Sequence, residues 1–325
     1  MIDKGCLVIS LDLELLWGGL DIWTPEDYGR SHVAQVREAI HRMVALFQKY
    51  EVHATFATVG FLMLEDTKEI KAKKPEHCPS YQNEQLNPYG AILDTIRPES
   101  ANLYFAPDVI QELHSKPFIE IGTHTFSHFY CWEDGQTLEQ FEADIKLAVE
   151  VAKEKGITLK SIVFPRNQVS KAYLEICEKY GILSYRGNAK KYFDHTTNPV
   201  KGIYHRLARF LDTYVNWGGH TPIAITEINK DELPMNIPAS RMLRPYMKSL
   251  KWLEPLRLHR IKKEMEYAAK HHELYHLWWH PHNFGADMEE NLAFLEKVFI
   301  HYQYCQREYG MYSMTMNKFY KEINQ

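Results

Sequence analysis

The sequence is poor in cysteine, has no long apolar run and carries no large excess of charge of either sign. Its five cysteines are odd in number, lie far apart and form no Cys-x-x-Cys pair, which argues against a disulfide framework and favours a reducing compartment. No window holds the roughly 18 consecutive apolar residues of a membrane-spanning helix. The first residues also lack an export signal, because acidic side chains break their apolar run. We therefore expect a soluble, cytoplasmic protein.

Charge and composition exclude some partners and allow a large core. The formal net charge is -4, so nothing global predicts a nucleic-acid partner. The 325 residues, 45% of them hydrophobic, suffice for one large domain or two ordinary ones. Residues 241–263 are a local exception, with eight Lys or Arg against one Glu. This segment is either a solvated helical face or a surface for anions or a membrane.

A strand followed by an amphipathic helix recurs along the chain. CLVISLDL, residues 6–13, is a short β-branched and aliphatic run typical of a strand buried on both faces. Residues 32–50 then place apolar side chains at helical spacing. Similar units begin near residues 53, 118, 161 and 274. This repetition predicts an α/β fold with a parallel barrel or a doubly wound sheet.

Two stretches interrupt this rhythm and are predicted to be insertions in a single domain that spans residues 1–325. Residues 65–107 contain five prolines and have a lysine-rich start, which indicates a long loop with little regular structure. Residues 186–258 form the second insertion, and their later part belongs to the basic segment.

Polar clusters stand at or just beyond the C-terminal ends of predicted strands, where α/β folds place their sites. The first is SLDLE, in which Asp12 and Glu14 are two residues apart. On an extended strand both carboxylates would point to the same side. An ordinary solvent-facing acidic pair would give the same pattern.

The second cluster is GTHTFSH, with His124 and His128 after an apolar strand and a glycine. A single helical turn would stack the two imidazoles on one side, at a spacing suited to one metal ion. A chain with 17 histidines also produces this spacing by chance. The short polar residues around the pair favour a metal site at the open end of the strand.

The third cluster is HLWWHPHNFG, which contains His276, His280 and His282. Pro281 ends the strand, so His280 and His282 would lie at its mouth. Aromatic core packing with incidental histidines is the competing interpretation. A weaker signal is VFPRN, where Arg166 follows another buried run, although an arginine at such a position is commonly a surface or salt-bridging residue.

These residue types suit metal-assisted hydrolysis. Two neutral imidazoles and a carboxylate can hold a divalent ion and leave positions for water and a substrate oxygen. A second carboxylate can take the proton of the water, and a separate histidine can protonate the leaving group.

Together the motifs resemble those of the polysaccharide deacetylases, the NodB-homology group also called carbohydrate esterase family 4. SLDLE is similar to the family's first motif, an acidic pair at the end of the first strand. HTFSH matches its second motif, His-Ser/Thr-x-x-His, in full, while FPRN and LWWHPH resemble the third and the last. ATFATVGFL, residues 54–62, is similar to the family's second strand. The agreement is spread over residues 6–285.

The resemblance implies a distorted (β/α) barrel, commonly of seven strands, and an enzyme that uses one divalent metal to remove acetyl groups from N-acetylated sugars. It implies Asp12 as the base, His280 as the acid and Arg166 as the residue that orients the acid. The implied metal ligands are Glu14, His124 and His128. Zn²⁺ suits these ligands best, with Ni²⁺, Co²⁺ or Mn²⁺ as alternatives.

The sequence departs from the family pattern at two points. The family's metal-binding acid is commonly aspartate, whereas the matching position here holds Glu14, which is one methylene longer. We also find no copy of the family's fourth motif. Two other functions stay open: a metal-independent barrel glycosidase that uses Asp12 and Glu14, and an inactive glycan-binding homologue.

The expected substrate is an N-acylated amino sugar. Tryptophans near the motifs could stack on sugar rings, and we assign substrate contacts to Trp17, Trp279 and His282. Because the chain shows no export signal, we expect a nucleotide-linked or lipid-linked precursor of a surface glycan rather than a finished polymer. Residues 241–263 would then meet anionic lipid or a substrate diphosphate.

Overall fold

The structure is a computed structural model, and it describes residues 3–189, 210–216 and 219–325. Within these ranges the strands are β1 Cys6–Leu13, β2 Ala54–Thr58, β3 Ile119–Thr123, β4 Ser161–Ile162, β5 Ser184–Tyr185, β6 Ile223–Ala224, β7 Met235–Asn236, β8 Arg241–Met242, β9 Glu273–Trp279 and β10 Tyr312–Met314. The α-helices of the same ranges are α1 Val36–Lys49, α2 Thr67–Ala72, α3 Ile92–Thr95, α4 Pro107–His114, α5 Leu138–Glu154, α6 Lys171–Lys179, α7 Glu254–His271, α8 Met288–Tyr309 and α9 Met316–Ile323.

The strands form one curled sheet whose main path is β6-β9-β1-β2-β3-β4-β5-β7. The paired strands run parallel, except that β6 is antiparallel to β9. Off this path, β10 pairs with β1 and β8 pairs with β9. The predicted barrel type is confirmed, but the path contains eight strands in the described part of the chain rather than seven. The two-residue strand β6, for which the sequence gives no signal, adds to the edge of β9.

Residues 235–243 connect the two sides of the curled sheet. Backbone N–H groups in the first half of this segment donate to the carbonyl oxygens of residues 183, 185 and 187. Those in the second half donate to carbonyl oxygens of β9. One extended segment therefore pairs with β5 first and with β9 afterwards, and it encloses an interior between them.

β1 lies in the middle of the sheet and is buried along its whole length, as its composition predicts. It pairs with β9 on one side and with β2 on the other, and β2 in turn pairs with β3. Because these strands are parallel, their C-terminal ends meet at one edge of the sheet. The polar clusters that follow β1, β3 and β9 are thereby brought together.

The helices bury an apolar face against other parts of the core. In α1 the side chains at helical spacing are buried as expected, namely Val36, Ile40, Met43, Val44 and Phe47. The helix begins at Val36 and not near His32, because residues 25–33 form a separate π-helical segment that starts with Pro25. α5 begins with a capping box between Thr137 and Gln140.

The first predicted insertion is more regular than expected, and the second is described only in part. Residues 65–107 contain α2, α3 and two short 3₁₀ segments, and they bury side chains such as Ile70 and Leu93 in the core. Within 186–258, residues 190–209 and 217–218 lie outside the described residues, while the rest contributes β6, β7 and β8. None of the described helices is long and apolar enough to cross a membrane.

Candidate active site

Glu14 lies between His124 and His128 at the C-terminal edge of the sheet. Its Oε2 atom is 3.2 Å from Nε2 of His124 and 3.1 Å from Nε2 of His128. All three side chains are buried, and their ligand atoms lie within 4.8 Å of one another. The structure thus brings together the three residues expected to hold a metal ion, and this group could bind one.

The two histidines are held by an irregular loop and not by the helical turn that their spacing predicted. Thr125 and His128 have φ angles of 65° and 60°, in a left-handed region that a right-handed helix does not visit. The Thr125 hydroxyl accepts a hydrogen bond of 2.7 Å from the N–H of Phe129. The helical prediction was wrong because this local side-chain bond stabilises a turn instead.

Asp144 of α5 fixes the middle of the same loop. Its carboxylate accepts hydrogen bonds from the backbone N–H groups of Phe126 and Ser127, at 2.6 and 3.1 Å, and from the Ser127 hydroxyl. Burial raises the pKa of Asp144 to about 6, against the effect of these three donors. The sequence pattern gave no sign of this support, since Asp144 lies inside an ordinary amphipathic helix.

The ring nitrogens of His124 show that a cation fits among the three side chains. Nδ1 of His124 is 2.7 Å from the carbonyl oxygen of Val163, which can only accept, so Nδ1 carries the proton. In the neutral ring Nε2 is then a bare lone pair, and it faces a second acceptor, the Glu14 carboxylate, at 3.2 Å. Two acceptors this close repel each other unless a proton or a metal ion lies between them, and a metal ion there would give the arrangement of a histidine and carboxylate metal site.

The electrostatics of the group favour the forms that bind metal. Burial opposes the charge of Glu14, but the surrounding histidines outweigh burial and hold the pKa of Glu14 well below its usual value. Burial lowers the pKa of His128 in spite of the neighbouring carboxylate. A Glu14 carboxylate and a neutral His128 imidazole are therefore favoured at neutral pH, as metal binding requires.

Gly18 leaves the space that the Glu14 carboxylate occupies. Residues 15–19 turn over Glu14 as a short 3₁₀ helix. A Cβ atom placed on Gly18 would lie 2.2 Å from Oε1 of Glu14, far inside van der Waals contact. Any side chain at position 18 would therefore displace the carboxylate.

Asp12, the expected base, is paired with Arg186. Nη1 and Nη2 of Arg186 donate to Oδ1 and Oδ2 of Asp12 at 2.6 and 2.7 Å, in the bidentate geometry that suits a guanidinium and a carboxylate. Both side chains are buried. Burial acts to raise the pKa of Asp12, but Arg186 outweighs it and the pKa lies below its ordinary value, so Asp12 is a carboxylate at neutral pH.

Arg186 is a residue that the sequence interpretation missed, and Arg166 does not lie where the resemblance implied. Arg166 donates to Asp21 at 2.9 Å and to Glu133 at 3.2 Å, and its side chain is 35% exposed. It is thus a salt-bridging residue at the rim, the ordinary alternative for such an arginine. The arginine beside the expected base follows β5, a two-residue strand without a clear sequence signal.

His280 lies beside both carboxylates at the opening of the site. Its Nε2 atom is 3.8 Å from Oδ2 of Asp12 and 3.5 Å from Oε1 of Glu14. The side chain is 22% exposed, whereas those of Asp12 and Glu14 are almost fully buried. His280 therefore stands between the carboxylates and solvent, where an acid for a leaving group is needed.

His282 is buried behind His280 and does not reach the opening. Its Nε2 atom is 4.0 Å from Oε1 of Glu14, and its ring packs edge-on against Trp23 and Tyr28. Burial, followed by the charge of His280, lowers the pKa of His282 to about 3. The predicted substrate contact of His282 is therefore replaced by a packing role as a neutral imidazole.

Trp17 and Trp279 cannot stack on a sugar, because both are 0% exposed. Trp17 packs edge-on against Phe61 and donates from Nε1 to the carbonyl oxygen of Tyr104. Trp279 belongs to the apolar core with Phe47. Their prediction as substrate contacts was wrong.

Trp278, the neighbour of Trp279, lines a cleft together with Asn167, a hydrogen-bond partner of Arg186. Side chains alternate along β9, so Trp278 shares a face with His280 while Trp279 points to the opposite side. The Trp278 ring lies over the Arg186 guanidinium, 4.2 Å from its carbon atom, and 5.6 Å from the ring of His280. The cleft has a volume of about 260 Å³, and its lining is about equally polar and apolar and includes Asn167, Ser240 and Arg241.

Residues 27–184 match the model of the polysaccharide deacetylase family. This matched part, just under half of the chain, is similar to the polysaccharide deacetylases. The similarity supports a sugar deacetylase, that is, a hydrolase that acts on amide bonds. The matched range includes His124 and His128, while Glu14, Arg186 and His280 lie outside it.

Solved structures share the fold of this chain at low sequence identity. A protein from Mycobacterium smegmatis that is described as a polysaccharide deacetylase has a TM-score of 0.60 at 13% identity, over 99% of this chain and 91% of its own. A GH57-type branching enzyme from Pyrococcus horikoshii has a TM-score of 0.55 at 12% identity, over 98% and 70%. A probable polysaccharide deacetylase from Pseudomonas aeruginosa PAO1 has a TM-score of 0.52 at 11% identity, over 97% and 89%. No curated protein matches the sequence.

Proposed function

We propose that the protein is a metal-dependent hydrolase that removes an N-acyl group, in the first place N-acetyl, from an amino sugar. The family supports the deacetylase class. The observation that carries the metal dependence is the convergence of two imidazole Nε2 atoms on one carboxylate oxygen, at 3.1 and 3.2 Å. Zinc is the proposed ion because two imidazoles and a carboxylate are a common zinc ligand set, although nickel, cobalt and manganese accept the same ligands.

Glu14, His124 and His128 would hold the ion. When bound, it would supply a Lewis acid for the acyl carbonyl and for the hydrolytic water. Asp12 would take the proton of that water, because Arg186 keeps it ionised in a buried setting. Both oxygens of Asp12 already accept from Arg186, so the second lone pair of Oδ2, on the side of His280, is the acceptor we assign to the water proton.

His280 would protonate the departing amine. It is more exposed than either carboxylate, and its Nε2 atom is 3.8 Å from Oδ2 of Asp12. This separation allows a proton to pass from the base to the acid with little movement of either side chain. The pair would therefore return to its starting state after each turnover.

The sugar would occupy the cleft beside Trp278. A partly exposed indole next to side chains with hydrogen-bonding groups is typical of a site that stacks a sugar ring and binds its hydroxyls. The cleft begins at Asn167, whose Oδ1 accepts from Arg186 at 3.0 Å. Asn167 and Arg186 therefore connect the proposed sugar site to the proposed base Asp12.

A metal-independent glycosidase suits the charges of the site less well. Such an enzyme needs one carboxylic acid with a raised pKa to protonate the glycosidic oxygen. The pKa values of Asp12 and Glu14 are both held below their ordinary values. An inactive glycan-binding homologue would bind sugar in the same cleft without turnover.

A cytoplasmic precursor of a surface glycan, nucleotide-linked or lipid-linked, is the proposed form of the substrate. All five cysteines are free, which suits a reducing compartment. Contact with anionic lipid through residues 241–263 belongs to the same proposal. In this segment Trp252 is 70% exposed next to the exposed Lys251, whereas Arg257 and Arg260 are buried in ion pairs.

Release of acetate from N-acetylated sugars tests the function. The zinc-loaded protein should release acetate, a chelator should stop the release and added zinc should restore it. His124→Ala should bind no stoichiometric metal and should release no acetate. Full activity of the chelated protein would disprove the metal dependence, and sugar binding without acetate release would identify the inactive homologue.

A further inference from the structure

Ser10 and His276 are buried polar residues next to the catalytic pair, and the mechanism above does not use them. Both are 0% exposed. Ser10 precedes Asp12 by two residues on β1 and shares its face of the strand. His276 belongs to β9 and stands on the same face as His280. Buried polar groups of this kind need hydrogen-bond partners.

The proton positions in this pair follow from the acceptors around it. Nδ1 of His276 is 3.2 Å from the carbonyl oxygen of Ile237, so Nδ1 carries a proton. Burial lowers the pKa of His276 to about 3, with a further contribution from Arg186, so the ring is neutral and its Nε2 can only accept. The Ser10 hydroxyl, 2.9 Å from Nε2, must therefore donate to His276.

Because its proton points to His276, Ser10 can only accept from Arg186. Nη1 of Arg186 donates to Ser10 Oγ at 3.2 Å in addition to Asp12. Nη2 donates to Asn167 Oδ1 at 3.0 Å in addition to Asp12. The four terminal N–H groups of the guanidinium thus have four acceptors. These four hydrogen bonds fix the orientation of the guanidinium plane.

We propose that Ser10 and His276 are positioning residues for the deacetylation: His276 sets the direction of the Ser10 hydroxyl, and Ser10 holds Arg186 in the plane that presents Asp12 to the hydrolytic water. The inference rests on the proposed function, because it takes Asp12 as the base. Ser10 and His276 would thus support the base from inside the barrel, without contacting the metal ligands themselves.

Ser10→Ala tests the support. We expect kcat for acetate release to fall about tenfold, with KM and zinc stoichiometry unchanged. Ser184→Ala is the matched control, because Ser184 is also a fully buried sheet residue and its Oγ has no hydrogen-bond partner among the described residues. We expect this control to keep the wild-type kcat.

A double-mutant cycle separates positioning from a general loss of stability. If Ser10 acts through Arg186, Ser10→Ala should lower kcat by less than about twofold in an Arg186→Lys background, because the two effects are not additive. His276→Gln, which keeps an acceptor for the hydroxyl, should retain more activity than His276→Leu.

Three results bear on the inference in different ways. A wild-type protein that releases no acyl group from any sugar would remove the proposed function itself. An active wild type with an unchanged Ser10→Ala variant would overturn only the positioning role. Equal losses from Ser10→Ala in both backgrounds, matched by a lower melting temperature, would also overturn it, because they would show a role in stability alone.

Discussion

Arg186 and Asp12, 174 residues apart in sequence, face each other inside the barrel through two parallel hydrogen bonds of 2.6 and 2.7 Å. Lysine can supply the charge but not the planar fork. Arg186→Lys should therefore lower kcat about 100-fold, as expected when a catalytic group is misplaced. The rate of acetate release with saturating sugar measures this effect.

Arg166→Lys is the control for that substitution. Arg166 binds Asp21 and Glu133 at the rim, so its replacement should change kcat by no more than about twofold, as for a partly exposed ion pair. If Arg166→Lys were the more damaging change, the acid would depend on the rim arginine, as the family resemblance implied.

Glu14 should prove essential for metal binding, and Gly18 should limit its position. Glu14→Gln removes the charged ligand and should abolish stoichiometric zinc binding. Gly18→Ala displaces the carboxylate and should weaken zinc binding by about 10- to 100-fold. Competition with a chromophoric chelator measures both affinities.

The control for Gly18→Ala is Gly90→Ala. A Cβ on Gly90 has its nearest neighbour at 3.4 Å, which is ordinary contact, so zinc affinity should stay at the wild-type value. An unchanged affinity in Gly18→Ala would show that Glu14 can move without loss, and that it is not a fixed ligand.

Trp278 and Trp279 should separate sugar binding from stability. Trp278→Ala should raise KM about tenfold through loss of a stacked ring. Trp279→Ala should cost about 3 to 5 kcal/mol of unfolding free energy, because it removes a buried aromatic side chain from the core. Initial rates give KM, and urea denaturation gives the free energy of unfolding.

A raised KM in Trp279→Ala, together with a loss of stability in Trp278→Ala, would show that the indole of Trp279 reaches the substrate. Trp278→Phe is a useful companion, since it keeps an aromatic face over Arg186. It should retain more of the sugar affinity than Trp278→Ala.

His276 should make the fold sensitive to acid. Its pKa is about 3 in the folded protein against 6.5 as the ordinary value, so the unfolded chain binds a proton that the folded chain does not. The stability that depends on the neutral ring is complete above pH 6.5 and is lost as pH falls toward 3. At pH 5 the loss should reach about 2 kcal/mol.

Urea unfolding of the metal-free wild type and of His276→Gln, each at pH 7 and pH 5, measures the stability that depends on the neutral His276 ring. Both proteins share the remaining histidines, so the difference in their free energies of unfolding should shrink by about 2 kcal/mol at pH 5. A constant difference would mean that His276 titrates normally.

The parts of the site that sequence could predict are local in the chain. HTFSH and SLDLE carry their ligands within a few residues of a recognisable strand, so the positions of His124, His128 and Glu14 could be inferred together. Arg186 follows a strand of two residues next to a stretch read as an insertion, and no short-range pattern marks it. Its role comes from the sheet order, which places β5 across the interior from β1.

The choice between two adjacent tryptophans was open to sequence reasoning and was made wrongly. Side chains alternate along a strand, so placing His280 at the interior edge of the site also places Trp278 and His276 on the interior face. The long aromatic run of β9 obscured this alternation. The loop form of residues 124–128, by contrast, depends on Asp144 from α5 as well as on the local Thr125 hydroxyl, and no local pattern could reveal the part of Asp144.

The candidate metal ligands and the other site residues come from two different parts of the chain. All three candidate metal ligands come from residues up to His128, in the turns that follow β1 and β3, the two strands on either side of β2. The arginine that holds the proposed base, the partly exposed indole and the proposed acid come from residues 186 to 280. Under the proposed function, substitutions confined to the later part would leave the metal ligands intact and remove turnover, so an enzyme could become a metal-containing binding protein while its first three strands stay unchanged.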